Sequence, residues 1–300
     1  MILDEILIAT EERLENKKMN ISLKDLKNKL KNKSNNKSNN KSNNKSDNKS
    51  DNELDNKLNN KLINNNSKSI KLEDNYFEKY LKEDNISFIC EVKRASPSKG
   101  IICDEFDYIK IAKEYENAGA AAISVLTEPK FFKGSDTYLS DIVANVNIPV
   151  LRKDFIIDEY MIYESKLLDA SALLLITSIL EPKQLKKYIK LSYSLNIFPL
   201  VETHNLNEVE IAIGAGAKII GINNRDLRDF TVDINNTLNL EKNIQKDIRN
   251  SITIVSESGI KTSEDIKILN DNNIDSVLIG ESLMRSKNKE LAIKELKSLI

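Results

Sequence analysis

Beyond Ile70 the chain alternates between short apolar runs and longer stretches in which apolar residues recur every three or four positions among charges. The runs Phe88–Val92, Ala121–Leu126, Ile148–Leu151, Ala172–Ile176, Phe198–Val201, Ile219–Ile222, Ile252–Val255 and Ser276–Ile279 have the length and branched content of buried strands. Tyr108–Ala118, Asp158–Leu168, Pro182–Leu195, Asn205–Gly214, Lys261–Asn270 and Glu281–Leu299 have helical periodicity. A strand followed by a helix, repeated around eight strands, predicts an α/β fold of the (β/α)8 TIM-barrel kind. An open doubly wound sheet is the alternative. That fold wants a G-x-G-x-x-G turn after an early strand, and none occurs; Gly214-Ala215-Gly216 closes a helix instead.

Two segments precede the alternating region. Ile2, Ile6, Leu7, Leu14, Leu23, Leu26 and Leu30 are spaced as on amphipathic helices, which predicts an N-terminal helical extension over 1–30. Isolated helices of that length are marginal in water, so this extension is expected to dock on the barrel. From 31 to 69 the chain repeats tetrads such as Lys33-Ser34-Asn35-Asn36, a low-complexity insertion of Asn, Lys and Ser without an aromatic residue. It offers too little apolar surface to offset chain entropy and is expected to be disordered. Leu54, Leu58 and Leu62 recur at helical spacing within it, a weak signal among asparagines. The barrel domain is then 70–300.

Composition narrows the functional classes. With 300 residues, 40% of them hydrophobic, the chain can bury a large core. Its 45 basic and 46 acidic residues leave a net charge of −1, so it carries no electrostatic footprint for nucleic acid or a membrane surface. The opening Met1-Ile2-Leu3-Asp4-Glu5-Ile6-Leu7-Ile8 sets acids inside a short apolar run, unlike a signal peptide or a spanning helix, and a cytoplasmic location is expected. Cys90 and Cys103 match neither a disulfide framework nor a zinc site and are expected to be free thiols.

In a barrel of this type chemistry sits at the C-terminal ends of the strands. The first strand ends on Glu91 and Lys93, two apart and so on one face, with Ser96 in the loop beyond. Strand three ends Leu151-Arg152-Lys153-Asp154-Phe155 and strand five ends Leu200-Val201-Glu202. Strand six ends Gly221-Ile222-Asn223-Asn224-Arg225, strand seven Ser256-Glu257-Ser258-Gly259, and strand eight Gly280-Glu281. Arg94, Arg152 and Asp154 alternate out of phase with the inward set and read as ion pairs around the barrel wall. The sole histidine, His204, reads as a polar loop contact rather than a general base.

Taken together, Glu91-Val92-Lys93-Arg94-Ala95-Ser96-Pro97-Ser98-Lys99-Gly100, Leu151-Arg152-Lys153-Asp154-Phe155, Gly221-Ile222-Asn223-Asn224-Arg225-Asp226-Leu227 and Ser256-Glu257-Ser258-Gly259-Ile260 resemble the indole-3-glycerol-phosphate synthase family. The resemblance runs from about Phe88 to the C-terminus, and Ile2-Leu3-Asp4-Glu5-Ile6 looks like that family's extra N-terminal helix; the insertion has no counterpart in the family pattern. It implies a carboxy-lyase that closes 1-(2-carboxyphenylamino)-1-deoxyribulose 5-phosphate to indole-3-glycerol phosphate, losing carbon dioxide and water, with no cofactor or metal. Lys153 is then the first candidate acid. Lys93 either holds a substrate anion or protonates the leaving hydroxyl, and the division between the two lysines is open. Glu202 is the candidate base, Glu91 tunes a lysine, and Glu257 and Asn223 orient the intermediate. Backbone N–H groups of Ser258-Gly259 and Gly280-Glu281, with the Ser96 hydroxyl, are expected around the phosphate, and the Glu281 carboxylate is expected to turn outward. Arg225 suits a carboxylate, Phe132 and Phe155 can flank the aromatic ring, and Leu174 can complete an apolar wall or serve as ordinary core. The expected partner is one small phosphorylated substrate, with no nucleic acid and no membrane. The implied state is a monomer able to associate with other tryptophan-pathway enzymes. An isomerase of phosphoribosylanthranilate would need fewer inward lysines, and a non-catalytic scaffold would have lost the polar rim.

Deleting Lys33–Ser67 is expected to leave the barrel folded and active, because the segment brings no core; a large fall in melting temperature would refute that reading.

Overall fold

The computed structural model describes residues 2–42, 76–82, 85–226 and 231–300. Eight parallel strands close into a barrel in sequence order: β1 Ser87–Val92, β2 Ala122–Leu126, β3 Val150–Lys153, β4 Ala172–Ile176, β5 Phe198–Thr203, β6 Ile219–Asn223, β7 Thr253–Glu257 and β8 Ser276–Ile279. Pairing of β8 with β1, from Ser87 with Ser276 to Cys90 with Ile279, completes the ring and leaves no open edge. The doubly wound alternative is thereby excluded.

Every apolar run read from the sequence is a strand, but several strands extend past the last apolar residue. The ladder keeps finding partners there: Leu126 pairs with Lys153, Ile176 with Glu202 and Asn223 with Glu257. Lys153, Glu202 and Glu257 are therefore strand residues rather than loop residues, with directions set by the pleat. At its other end β3 begins at Val150 instead of Ile148, immediately after Pro149, which lacks the N–H a ladder requires.

Strand alternation divides the core in two. Ile89, Ala122, Leu151, Ala172, Leu174, Ile176, Leu200, Ile219, Val255 and Leu278 fill the barrel interior. Their neighbours of opposite parity, including Phe88, Cys90, Ile123, Val125, Leu173, Leu175, Val201, Ile220, Ile254 and Val277, pack under the surrounding helices. Cys90 is buried and Cys103 half-buried, and both thiols are free.

The helices are α1 Ile2–Asn20, α2 Leu23–Ser42, α3 Tyr76–Leu81, α4 Tyr108–Asn117, α5 Asp136–Asn145, α6 Glu159–Leu167, α7 Pro182–Ser194, α8 Leu206–Ala215, α9 Asn235–Glu241, α10 Lys246–Arg249, α11 Ser263–Asp271, α12 Glu281–Arg285 and α13 Lys289–Leu296. Side-chain oxygens of Asp107, Ser135, Asp158, Asn205, Thr262 and Asn288 accept first-turn N–H groups and set where α4, α5, α6, α8, α11 and α13 begin. The single helix expected over Glu281–Leu299 is two, because Ser286 is extended and Asn288 caps a new start. Helix α3 was not anticipated. Its Phe77 and Leu81 are fully buried in the interior cluster, and the Leu81 carbonyl accepts from Ser87 Oγ at the start of β1, so α3 seals the N-terminal end of the barrel.

The N-terminal extension docks as expected. Ile6, Leu14 and Leu26 are buried, and α2 continues past the expected boundary at residue 30 to Ser42. Lys33 donates to the Leu167 carbonyl at 2.6 Å and pairs with Asp169 at 2.7 Å, so the first part of the insertion joins the docked helix. The weak helical signal at Leu54, Leu58 and Leu62 falls outside the described residues.

A buried ionic network ties α1 to β3. The Arg152 guanidinium has no solvent exposure and donates to Asp136 at 2.8 Å, Glu164 at 2.7 Å, Ser165 Oγ at 3.1 Å and the Met161 carbonyl at 3.2 Å. Asp154 accepts from Arg13 of α1 at 2.7 Å and from Thr127 Oγ1 at 2.7 Å, while Lys17 bridges Asp136 and Glu164 at 2.6 Å each. Burial alone would raise the carboxyls of Asp136 and Asp154; the charges of Arg152 and Lys17 on the first, and of Arg13 and Arg152 on the second, hold both below the usual range.

Replacing Arg152 by Met is expected to cost about 3–5 kcal/mol, because the buried carboxylates lose their partner, and urea unfolding measures it. Since both aspartates are depressed in the folded state, their contribution should be complete above about pH 4 and decline as the pH falls further; acid titration of the same unfolding transition tests the sign.

Candidate active site at the C-terminal mouth

Four strands of odd number each send one ionisable side chain into the top of the barrel: Glu91 from β1, Lys153 from β3, Glu202 from β5 and Glu257 from β7. Alternate strands filling one layer is the packing rule of such barrels, and here the uppermost layer is charged instead of apolar. Lys153 Nζ lies 2.5 Å from Glu257 Oε2 and 3.6 Å from Glu202 Oε2. Glu91 Oε1 accepts from Lys93 Nζ at 2.6 Å, and Asn223 Nδ2 donates to Glu202 Oε1 at 3.2 Å. Of the six residues read from sequence as the catalytic set, Lys153, Glu257, Glu202 and Asn223 form one bonded group and Glu91 with Lys93 a second, and the charges of Glu91 and Lys153 couple the two.

Three carboxylates face two ammonium groups here, and that imbalance governs the protons. Burial would strip Lys153 of its charge, but Glu257, Glu202 and Glu91 surround it and raise its proton affinity well above the ordinary lysine value. Burial also lifts Glu91, yet the charges of Lys93 and Lys153 outweigh it and hold this acid ionised, below its usual value. Glu257 goes the other way. Burial, helped by repulsion from Glu202 and Glu91, overcomes its bond to Lys153 and pushes it up to about 7. The charge count favours Lys153 keeping its proton while Glu257, the most buried of the three acids, shares the remaining one. Glu257 Oε1 is buried with no hydrogen-bond partner among the described residues.

Glycines make room for these groups. A Cβ at Gly221 would overlap Glu257 Oε1 and come within 3.3 Å of Leu200 Cδ1. A Cβ at Gly280 would overlap Glu91 Oε1 and sit 3.0 Å from Lys93 Nζ, so Gly280 has a steric reason quite apart from any phosphate.

The remaining sequence candidates are spread around this centre. Arg225 is anchored by its backbone N–H on Asn223 Oδ1 at 3.0 Å. Ser258 and Gly259, with φ of 68° and 88°, turn the chain sharply after β7. The Glu281 carboxylate pairs with Arg285 at 3.1 Å, one helical turn on. Phe132 and Phe155 have ring centroids 6.1 Å apart, and Phe155 packs on the interior cluster that contains Leu174. Ser96 lies in a short hairpin formed with Gly100–Ile101. No hydrogen bond among the described residues joins its hydroxyl to the central group. Arg152 and Asp154 belong to the outer network, as their strand phase predicts. One residue was overlooked, and one, His204, reaches further than the loop contact expected of it. Ser124, a polar interruption at an inward position of β2, reaches Glu91 Oε2 at 3.5 Å. His204, at the same parity as Glu202, points Nε2 at Glu202 Oε1 from 3.4 Å.

A closed (β/α)8 barrel with a lysine held protonated among carboxylates at its C-terminal mouth defines an enzyme equipped for acid–base chemistry on an anionic small molecule. Residues 41–296 match the sequence model of the indole-3-glycerol phosphate synthase family. The indole-3-glycerol phosphate synthase of Lachnoclostridium phytofermentans is 50% identical over 234 residues, 78% of this chain and 85% of that protein. That of Ruminiclostridium cellulolyticum is 45% identical over 286 residues, 95% of each. Among solved structures, KGPDC from Streptococcus mutans superposes with a TM-score of 0.54 at 13% identity, over 72% of this chain and 97% of that one. A 3-hexulose-6-phosphate synthase gives 0.57 at 13%, over 72% and 100%. At such identities these two speak for the barrel alone. The chain belongs to the indole-3-glycerol phosphate synthase family.

Gly221→Ala is expected to displace the Glu257 carboxylate and to lower turnover by about a hundredfold, the usual cost of misplacing a reacting group by an ångström. Steady-state kinetics, with an unfolding curve alongside to separate a folding defect, measures it.

Proposed function

We infer that this chain converts 1-(2-carboxyphenylamino)-1-deoxyribulose 5-phosphate to indole-3-glycerol phosphate with loss of carbon dioxide and water, the lyase step its family name describes. The observation that carries the residue assignment is the placement of Lys153 Nζ between Glu257 and Glu202. In this reading the ring carbon bearing the carboxylate attacks the ketone while Lys153 protonates the ketone oxygen. Carbon dioxide departs and restores the aromatic ring. Water then leaves as Glu202 takes a proton from the adjacent carbon. Lys93, oriented by Glu91, holds the substrate carboxylate or protonates the departing hydroxyl. Glu257, with a proton affinity near neutrality, and Asn223 orient the hydroxyls of the intermediate.

Around that centre we assign the phosphate to the backbone N–H groups of Ser258-Gly259 and Gly280-Glu281, with Ser96 closing over it from the first loop. The outward pairing of Glu281 with Arg285 supports this, since it keeps a negative side chain engaged elsewhere. Arg225 is assigned to a substrate anion, Phe132 and Phe155 to the faces of the aromatic ring, and Leu174 to the apolar floor. We further propose a monomer acting in the cytoplasm beside other tryptophan-pathway enzymes. Among the described residues no helix is long and apolar enough to cross a membrane.

Lys153→Gln is expected to reduce kcat by about 10²–10⁴-fold with little change in KM, since the lost group acts in the transition state. The appearance of indole absorbance on adding the carboxyphenylamino substrate follows the reaction. Near-normal turnover by this variant would remove Lys153 from the acid role.

A further inference from the structure

The reaction consumes a proton that the central group cannot generate. The substrate carboxylate leaves as carbon dioxide, and the ketone oxygen takes up two protons to leave as water. Only one proton returns, from carbon to Glu202. Each turnover therefore draws one proton from solvent, and where Lys153 supplies both protons to the oxygen it has to reach the neutral Lys153 amine left after ring closure.

Among the described residues in contact with Glu202, His204 is, besides Lys153 itself, the titratable side chain that is partly exposed. His204 follows β5, and its ring spans two carboxylates: Nδ1 lies 3.1 Å from Glu208 Oε2, and Nε2 lies 3.4 Å from Glu202 Oε1. Glu208 is fixed in turn. Its Oε2 also accepts from the His204 backbone N–H at 2.9 Å, and its Oε1 accepts from Asn205 Nδ2 at 2.8 Å. Nε2 is buried and has no hydrogen-bond partner among the described residues, so Glu202 is the acceptor toward which it points. Yet the side chain keeps 14% of its surface exposed, which gives the ring an edge on solvent.

We propose that His204, oriented by Glu208, is a positioning residue that stores the solvent proton and returns it through Glu202 to Lys153. The imidazolium N–H bond at Nε2 breaks as an O–H bond forms on Glu202, and that proton then forms an N–H bond on Lys153. The transfer runs downhill because an amine is a stronger base than an imidazole. The neutral ring, still holding Nδ1–H, regains its proton at Nε2, where a new N–H bond forms when the ring turns that buried nitrogen to water after product leaves. The charged groups around the ring include Glu202 from β5, Glu208 from α8 and Glu257 from β7, with Lys153 of β3 on the far oxygen of Glu202. Burial would lower its proton affinity, but these carboxylates win and raise it above the ordinary histidine value, so the store is fuller than a free imidazole would be at the same pH.

The inference rests on Glu202 and Lys153 acting as assigned above, so the experiment includes Glu202→Gln as its reference. In His204→Gln, which keeps an N–H donor but cannot release a proton, kcat should fall by about tenfold or more while KM stays within about twofold. Wild-type kcat should decline as pH rises through the ring's titration, and that limb should be missing from the variant. Imidazole added to His204→Ala should restore turnover in proportion to its protonated fraction. Wild-type kcat and pH limb in both His204 variants, with Glu202→Gln inactive, overturns the relay alone; so does a loss of kcat that imidazole does not repair and that leaves the pH limb in place. Full activity in Glu202→Gln overturns the assignment of the base itself.

Discussion

Everything at the mouth of this barrel depends on the alternation of side chains along β3. Arg152, Lys153 and Asp154 are consecutive, so the pleat sends the first and third outward and the second inward. Outside, Arg152 and Asp154 are gripped by Arg13, Thr127, Asp136 and Glu164. Inside, Lys153 stands among three acids. A slip of one residue would exchange the two faces and leave a guanidinium and a carboxylate in the barrel interior, each costing several kcal/mol to desolvate. The outer network is therefore also what holds the inner lysine in place. It explains why a helix from the start of the chain takes part, since Arg13 reaches the residue next to Lys153.

The second constraint is charge. Glu91, Glu202 and Glu257 outnumber Lys93 and Lys153, and every tenfold change this makes in a proton-binding constant corresponds to about 1.4 kcal/mol. Both lysines thus have acidic neighbours, and the shortage of positive charge falls on the most buried acid. An acid that must donate to a ketone and then be recharged is served by such a setting. In the proposed reaction the neighbouring acids hold the proton on Lys153 until a developing alkoxide competes for it, and they draw a replacement back afterwards.

Particular residues show where sequence reading succeeded and where it stopped. The motif around Glu91 and Lys93 was legible because parity within a strand is a local property. Lys153, Glu202, Asn223 and Glu257 could be named as strand-end residues, and the parity of Arg152 and Asp154 foretold their outward pairing. Strand ends were set short, since apolar content stops before the hydrogen-bond ladder does. The split of the last helix at Asn288 and the plug formed by Phe77 and Leu81 were missed, because a cap or an end seal depends on what the neighbouring backbone leaves unpaired. His204 was read as a loop contact, and it does contact Glu208 in its loop; its approach to Glu202 needed the curvature of the chain after β5.

By itself the sequence determined the order of strands and helices, the apolar interior and which side chains share the mouth. These follow from periodicity and from one-residue alternation, both written along the chain. Tertiary structure alone decided the distances among Lys153, Glu202 and Glu257, the raised proton affinity of Glu257, and the hold of Arg13 on β3. Those quantities arise where groups far apart in the sequence, such as Lys153 and Glu257 at a separation of 104, meet in a medium that screens charge poorly, and no local pattern encodes how closely they approach.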